Sequence, residues 1–319
     1  MKAIVFVFLL IPITSSFSQT CCSGGIPLSN SIGTPMQEAK SFQVRLHYDY
    51  NYLNTLNNGS KNLNDDSRLR VTHSILLNLN YSFTKNISIE GLFSWVNQRR
   101  KITQFNTQSL TQSSGIGDSV LLLKYALLNS LGKNSTVNFG LGSKIPTGSS
   151  TQKNEQNILL NADLQPGSSA WDFIFWSLVS KQFNFRPTLN FSSSFTYRKT
   201  GTNSNYLDEF NYRFGNELQT SFSISDQYLF FDTLINPSIT IKYRNASRDK
   251  INNVKIENTG GNWLFISSDV KINLLENIAF SFSIDLPIHS NVNGTQLTPT
   301  YRINTGIIFL FKPKESIQL

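Results

Sequence analysis

The chain has 319 residues, 15% of them charged, and carries 28 Lys and Arg against 20 Asp and Glu. This length fits one large domain or two. The absence of a long internal apolar run excludes a bundle of membrane-spanning helices. A formal charge of +8 would suit nucleic acid or an anionic surface. The basic residues form no run with interleaved aromatic residues, so we expect no nucleic-acid partner.

The N-terminus has the layout of a cleavable secretory signal. Lys2 precedes an apolar core at residues 3–13, and small residues follow at Ser16 and Ser18. We predict a signal peptide at residues 1–18 and a periplasmic N-terminal leader at residues 19–41.

Cys21 and Cys22 are the only cysteines, and adjacent cysteines cannot join distant parts of a fold. A lipid-modified Cys21 is one interpretation, although the residues before it lack the Leu and the Gly or Ala usual in lipoprotein signals. The leader is otherwise an irregular segment that folds back into the barrel, or a flexible linker. The sequence leaves these alternatives open.

Strict alternation of apolar and polar residues begins at Phe42 and recurs along the chain. A period of two is typical of strands with one apolar and one polar face. The alternating segments lie at residues 42–52, 71–83, 87–97, 119–129, 135–146, 171–183, 189–198, 210–224, 229–243, 263–274, 278–286 and 301–311. Segment 171–183 is apolar on both faces, so its register stays open. Pro237 requires a bulge or kink, because it cannot donate to a ladder.

The connections between these segments alternate between long and short, including a long polar loop before Gly115 and a short turn at residues 225–227. This alternation is typical of an up-and-down barrel with tight periplasmic turns and longer external loops. We predict an all-β fold: a transmembrane up-and-down antiparallel β-barrel of about 12 strands, of outer-membrane type. It spans residues 42–311 and is followed by a C-terminal tail at residues 312–319.

If the first segment runs outward, the aromatic residues separate by height into two groups, as in the aromatic girdles of barrels. The group near the outer rim is Tyr50, Tyr52, Trp95, Tyr197, Tyr212, Tyr243 and Tyr301. The group near the inner rim is Tyr81, Phe83, Phe222, Phe309 and Phe311. A soluble β-sandwich would not sort its aromatic residues by strand end.

Three short motifs rich in Gly and Pro lie within residues 115–172. They are GIGD followed by Lys124-Tyr125, GSKIPTG, and LQPGS followed by Asp172. With these motifs the chain resembles the outer-membrane channel family named after the MetA pathway of phenol degradation. The resemblance implies a transport-type barrel of the outer membrane and identifies no substrate. The motif residues are Gly115, Gly117, Asp118, Pro146, Thr147, Gly148, Gln165, Pro166 and Gly167.

We expect the hairpin and loop that carry these motifs to shape the external mouth of the barrel. Asp118 and Lys144 fall at adjacent strand ends, within reach of each other. The alternative is that the motifs form a turn that only stabilises the fold.

The polar faces of the predicted strands carry nearly equal numbers of cations and anions. A pore selective for one sign of charge would show a ring of that sign. The balance favours a narrow, specific or gated passage for a small, uncharged or hydrophobic solute, aromatic solutes included. The candidate lumen residues are Arg45, Asp49, Glu90, Asp118, Lys124, Lys144, Arg198, Arg213, Glu217 and Arg302. The alternative is that these charges only hold the wall together.

Other chemistries find little support in the sequence. His47, His73 and His289 lie far apart without a metal-binding motif, so we expect no metal and no cofactor. Where a Ser is next to one of these His residues in sequence, the two side chains would face opposite sides of the strand and could not act together as a catalytic pair. We therefore do not expect an enzyme. Two alternatives remain: a barrel enzyme acting on lipid, and a structural or adhesive barrel without transport.

The expected location is the outer membrane of a Gram-negative-type bacterium, after cleavage of the signal peptide. The expected partners are outer-membrane lipid, a small-molecule solute, and the barrel-assembly machinery during biogenesis. The last predicted strand is followed by further residues instead of ending at an aromatic residue. This departure concerns the assembly signal and not the barrel.

Overall fold

The computed structural model of the protein describes residues 32–35 and 37–312. The predicted signal peptide, the leader up to residue 31 with both cysteines, and residues 313–319 lie outside the described residues.

Twelve long antiparallel strands form the wall of a barrel. They are β1 (Phe42–Asn58), β2 (Arg68–Ser82), β3 (Ile87–Gln104), β4 (Ser119–Leu128), β5 (Ser135–Ile145), β6 (Asp172–Phe183), β7 (Arg186–Lys199), β8 (Glu217–Ser225), β9 (Thr233–Ala246), β10 (Gly261–Leu275), β11 (Ile278–Val292) and β12 (Thr295–Phe311). Each strand pairs with its neighbours in sequence, and β1 pairs with β12 to close the barrel. The predicted up-and-down barrel of twelve strands is confirmed.

Short turns and long loops occupy opposite ends of this barrel, called here the short-turn end and the long-loop end. At the short-turn end, residues 83–86, 129–134, 184–185 and 276–277 join successive strands. β1 begins and β12 ends there. One 3₁₀ turn, Ala162–Leu164, lies in a long loop. The described part of the chain has no helix long and apolar enough to cross a membrane.

The two faces of the wall differ as the alternation predicts. The outward face carries exposed apolar side chains, among them Leu46, Leu123 and Ile239, the last of them 61% exposed. The inward face carries buried polar side chains such as Ser74 and Asn78. Lipid covers such an apolar band without the penalty that water would impose, and the closed ladder satisfies the backbone polar groups.

The strand predicted at residues 210–224 is divided in two. A Cβ at Gly215 would overlap the carbonyl oxygen of Ser247, so the chain passes close to another loop there, and β8 begins only at Glu217. Residues Phe210–Arg213 instead form a small sheet with Asn203–Tyr206, Lys250–Ile251 and Val254–Lys255. We call this sheet at the long-loop end the loop sheet.

Two predicted positions are wrong for this reason. Tyr212 is 2% exposed and packs against Tyr206 and Phe214, so it does not belong to the outer aromatic girdle. Arg213 lies in the same small sheet and donates to Thr200 and Asn216. It is therefore not a wall residue facing the lumen.

The turn after β8 also differs from the prediction at residues 225–227. The chain continues into the strand Tyr228–Phe230 and turns at Phe231 and Asp232, both with positive φ. Pro237 lies opposite the break, where its carbonyl oxygen accepts from the N–H of Asp226, and it keeps a regular register with β10. The kink expected at this proline thus falls on the partner strand.

The long polar loop predicted before Gly115 is a β-hairpin instead. β3 extends to Gln104 and pairs with the strand Thr107–Ile116, and the turn lies at Phe105 and Asn106, both with positive φ. The residues of the second strand are mostly polar and exposed. Without an apolar face there is no period of two for a sequence pattern to detect.

Candidate functional site

A cavity of about 520 Å³ lies inside the barrel. Leader residues 32–35 line it toward the short-turn end, and Asp163, in the loop between β5 and β6, lines it toward the long-loop end. We call this cavity the chamber. Its size is typical of cavities that hold small organic ligands.

Two charged wall residues hold the leader. Lys124 Nζ of β4 lies 2.7 Å from Glu90 Oε2 of β3. Glu90 accepts from the N–H of Gly33 at 2.9 Å, from the N–H of Thr34 at 3.0 Å and from the Thr34 hydroxyl at 3.0 Å. Lys124 donates to the carbonyl oxygen of Thr34 at 2.9 Å. Every polar atom of Thr34 is thus bound to this pair, and we call Thr34, Glu90 and Lys124 the leader latch.

The latch is buried away from water, since Thr34, Glu90 and Lys124 are 2%, 1% and 1% exposed. A buried ion pair loses its hydration and needs further hydrogen bonds to offset that cost. Asn78 of β2 supplies one by donating to Glu90 Oε1 at 2.7 Å, and the leader supplies the others. Departure of the leader would therefore require water to enter and hydrate the pair.

An apolar patch covers the inner wall beside the latch. It consists of Leu76, Leu92, Val120, Leu122, Ile174, Trp176 and Leu178 of the wall, with Ile32 of the leader packed against it. Barrel interiors that hold water are normally polar, so this patch needs a cover, and the leader provides one. The three β6 residues in the patch give the register of that strand, which the sequence leaves open.

Gly33 permits the close approach of the leader to the wall. Its φ is +80°, and a Cβ at this position would overlap the indole ring of Trp176. Gly140 of β5 leaves room on the wall side, because a Cβ there would lie 3.1 Å from the same indole. A side chain at position 33 is therefore incompatible with the seated leader.

The three motifs noted in the sequence converge on one carboxylate. Asp118 accepts from Lys144 Nζ at 2.6 Å, from the N–H of Gly148 at 3.1 Å, and from the N–H and hydroxyl of Ser168 at 3.0 and 2.7 Å. A Cβ at Gly148 would lie 2.7 Å from the Cα of Gly167. We call Asp118, Lys144 and Ser168 the loop hub, because they fasten both ends of the loop at residues 146–170 to the wall.

The other motif residues surround this hub. The Thr147 hydroxyl donates to the carbonyl oxygen of Gly117 at 3.0 Å. Gln165 accepts from the N–H of Gln152 at 2.9 Å and donates to two carbonyl oxygens of the same loop. A Cβ at Gly115 would touch the ring of Pro166 at 3.5 Å. The motifs are therefore spatially one unit, built around the base of the loop.

Ion pairs continue from the hub around the wall. Asp172 lies 3.4 Å from Lys144 and 3.9 Å from Arg198, and Arg198 lies 2.8 Å from Glu217. Arg244 of β9 approaches the other oxygen of Glu217 at 2.7 Å. The chain of charges joins β5, β6, β7, β8 and β9 and leaves these carboxylates compensated.

The loop itself descends into the lumen and is held there. Arg70 of β2 donates to the carboxylate of Asp163 at 3.1 Å and to its carbonyl oxygen at 2.6 Å, and also donates to Gln98. The Ser113 hydroxyl donates to the carbonyl oxygen of Leu164 at 2.5 Å. No sequence pattern indicates a role for Asp163, because a loop residue has no strand periodicity.

Two more ion pairs line the opposite side of the chamber. Arg302 Nε of β12 lies 2.6 Å from Asp49 of β1, and Lys242 of β9 lies 2.7 Å from Asp285 of β11. All the predicted lumen residues except Arg213 thus lie on or beside the wall and face inward. Trp176 and Thr34 were not among the predicted site residues, although the apolar run of β6 is a signal for an inward apolar patch.

Metal ligation has no candidate in the described residues, where no group of three or more His, Cys, Asp or Glu side chains is placed to hold an ion. The lumen lining combines charged side chains, most of them in ion pairs, with hydroxyl groups and the apolar patch. Such a lining suits binding and passage of a solute.

Residues 62–296 match the model of the family described as MetA-pathway of phenol degradation. The chain belongs to this family. The match covers the wall from β2 into β12 and includes all three motifs of the loop hub. A search of curated proteins finds no match.

A comparison with solved structures finds several similar chains. An outer membrane channel from Pseudomonas putida F1 has a TM-score of 0.67 at 13% identity, covering 90% of this chain and 100% of that one. The transport unit of the autotransporter AIDA-I from Escherichia coli has a TM-score of 0.48 at 10% identity, covering 89% of this chain and 94% of that one. The β domain of the Bordetella autotransporter BrkA gives 0.46 at 9% identity, with 85% and 100% covered. At such identities the first likeness shows the outer-membrane barrel fold.

Proposed function

We propose that this protein is an outer-membrane channel for a small, uncharged or hydrophobic solute, aromatic solutes included, and that its own leader closes the passage. The observation that carries the proposal is the seating of residues 32–35 inside the barrel, against the wall and below the chamber. A segment that fills the lumen of a barrel is the natural device for gating it. Family membership supports a channel role.

The lining of the chamber supports the choice of solute. Almost every lumen carboxylate is compensated by a cation or by hydrogen bonds, so a cation has little to bind. The apolar patch lies next to the chamber, where Trp176 and Leu178 line both. When the leader leaves, a solute with an apolar body can occupy the surface that Ile32 covers.

We place the short-turn end in the periplasm of a Gram-negative-type bacterium and the long-loop end outside. The leader then enters the barrel from the periplasmic side, after removal of residues 1–18 and insertion by the barrel-assembly machinery. The exposed apolar outward face is the surface for outer-membrane lipid. Residues 42–311 form the channel, and the tail at residues 312–319 remains periplasmic.

The substitution Gly33→Ala tests the gate without changing charge. Its Cβ would overlap Trp176, so the leader cannot seat, while the pairing between the wall strands is kept. We expect the conductance of the mature protein in planar lipid bilayers, and solute efflux from vesicles, to rise several-fold.

Gly132→Ala is the matched control. Gly132 also has positive φ, +92°, but only the flexible end of Lys181 lies near its Cβ position. The control should keep the wild-type conductance. Equal conductance of Gly33→Ala and the wild type would show that the leader is not the gate. Absence of current and efflux in every variant would leave a structural or adhesive barrel, and turnover of lipid that requires a histidine would favour the enzyme.

A further inference from the structure

The two halves of the lumen differ in their charges. Toward the long-loop end, from Asp49 on β1 and Asp269 on β10 upward, most inward cations pair with carboxylates of the wall or of the folded loop. Arg68 and Arg100, on the same strand faces as Arg70 and Gln98, form no such ion pair with the described residues. Between that level and the short turns, the inward-facing charged residues of the described wall strands are Arg45, Lys124, Lys271 and Glu90. Three cations therefore face one anion in the short-turn half.

Glu90 forms an ion pair with only one of these cations, Lys124 in the leader latch, although its charge also acts on Arg45. Arg45 and Lys271 form no ion pair with any residue that the structure describes. Arg45 lines the chamber, and its Nε is buried without a hydrogen-bond partner among the described residues. Lys271 is exposed, and strand pairing links it through Ser281 and Gly306 to His47, the next inward residue after Arg45 on β1.

The leader supplies no further anion to this half of the lumen through its described residues. Residues 32–35 contain no Asp and no Glu, and Glu38, the one carboxylate of the leader, is exposed and pairs with Lys312 at 3.1 Å. Asp269, the nearest carboxylate along β10, accepts from the Thr240 hydroxyl at 3.1 Å and lies at the upper limit of this region. The positive charge of Arg45 and Lys271 is left for a mobile ligand.

We propose that Arg45 and Lys271 form an anion site at the short-turn half of the lumen, which selects small monovalent anions and holds the carboxylate of a small organic acid. An unpaired guanidinium in a partly dry site is the side chain best suited to a carboxylate, because its fork of N–H groups matches two oxygens. Cationic side chains in a narrow lumen set anion selectivity in pores. The inference rests on the proposed channel function and extends its solute class from uncharged molecules to monoanions with an apolar body.

Reversal potentials under a KCl gradient test the proposal in planar bilayers. The mature full chain and its Gly33→Ala form serve as backgrounds, so that the open passage is measured as well as the leader-closed one. We expect chloride to permeate better than potassium. Arg45→Gln and Lys271→Gln should each lower the chloride-to-potassium permeability ratio by roughly twofold, the effect of removing one unit charge about 10 Å away through water. Replacing chloride by benzoate should show a larger loss for Arg45→Gln than for Lys271→Gln.

Lys181→Gln is the matched control. Lys181 lies near the same end of the barrel, but it donates to the carbonyl oxygens of Leu131 and Lys133 in a short turn, so its removal should leave the ratio unchanged. A ratio at or below one in both backgrounds would overturn the proposal, as would an anion preference that both lumen variants retain. In those two cases current still flows and the channel function stands. Absence of any current would overturn the channel function and this inference together.

Discussion

The leader latch and the loop hub each hold an irregular segment inside the barrel, and they do so with the same kinds of contact. In each, a buried carboxylate of the wall pairs with a lysine of an adjacent strand, at 2.7 Å in the latch and 2.6 Å in the hub. Each carboxylate also accepts backbone N–H groups and a hydroxyl from an irregular segment inside the barrel. Judged by these contacts alone, both segments would be equally fixed.

The difference lies in how each segment is tied to the rest of the chain. The hub holds a loop whose two ends are wall strands β5 and β6, and Gly148 and Gly167 meet backbone to backbone there. Among the described residues, the leader is joined to the wall only where β1 begins. Under the proposed function it withdraws without breaking a strand, whereas the loop cannot. The same set of bonds would then make a gate in one place and a fixed part of the wall in the other.

The largest effect is expected for Asp118→Ala. Removing this carboxylate leaves Lys144 buried beside the more distant Asp172, at 3.4 Å, and frees the N–H groups of Gly148 and Ser168. Loss of one partner of a buried ion pair costs about 3–5 kcal/mol. Urea unfolding of the barrel in lipid vesicles, followed by its heat-modifiable migration on gels, measures the loss.

Asp226→Ala is the control for this change. Asp226 pairs with Arg186, whose side chain is 46% exposed, and such surface pairs contribute about 1 kcal/mol or less. If both variants lost the same small amount of stability, Asp118 would not be the fastening point of the loop.

Asp249 sharpens the comparison, because it holds loops together without an ion pair to any cation that the structure describes. It accepts from the Tyr212 hydroxyl at 2.6 Å and from the N–H of Gly215 at 2.8 Å. Burial raises the pKa of its carboxyl from 3.8 to about 6. The folded loops hold this proton more tightly than the unfolded chain does. Their stability is therefore greatest below about pH 4 and falls as the pH rises to about 6.

The full rise in the pKa of Asp249 corresponds to about 3 kcal/mol of local stability. Hydrogen exchange of residues 203–213 and 250–255, corrected for intrinsic rates, should show protection that declines over this pH range. Asp249→Asn cannot titrate, so its protection should be flat. A wild-type profile as flat as that of the variant would contradict the assignment.

Gly167→Ala should destabilise the barrel by about 2 kcal/mol, because its Cβ overlaps the backbone of Gly148 and the loop is tied at both ends. Gly33→Ala creates a similar overlap in the leader, which can leave, so only the leader contacts are lost and the loss of thermal stability should be smaller than for Gly167→Ala. Gly91→Ala, whose Cβ would touch only the Phe93 ring at 3.4 Å, controls for the change of residue. Equal losses of thermal stability for Gly33→Ala and Gly167→Ala would show that the leader and the loop are equally fixed.

The wall could be predicted from the sequence because a strand between lipid and water has a period of two. Segments such as 42–52, with tyrosines outward and charges inward, needed no further information. The pairing of Asp118 with Lys144 could also be anticipated, since a tight hairpin places its two strand ends together. The period of two led to a wrong prediction at residues 210–213, where the alternation continues but the chain leaves the barrel wall.

The rest of the site could not be read from the pattern, for physical reasons. The contact of Asp163 with Arg70 joins a loop to a strand 93 residues away, and nothing in either segment encodes the pairing. The seating of Thr34 depends on Gly33 and on space beside Trp176, which exists only when β4, β5 and β6 are assembled. The second apolar face of segment 171–183 is a signal for the inward apolar patch, but nothing in that segment indicates that Ile32 packs against it.

The smallest effect is expected for Thr34→Ala, which removes one hydroxyl from the latch and keeps the backbone bonds of residue 34. That hydroxyl donates to Glu90 and accepts from Lys124 at 3.0 Å in both cases. Its loss should weaken seating by about 1 kcal/mol and increase the time that single channels spend open, without changing the conductance of the open state. Thr84→Ala removes a hydroxyl that caps a short turn at the same end and should leave gating unchanged. A change in open-state conductance for Thr34→Ala would mean that Thr34 lines the open passage. The leader would then stay inside the barrel in the open state and not withdraw from it.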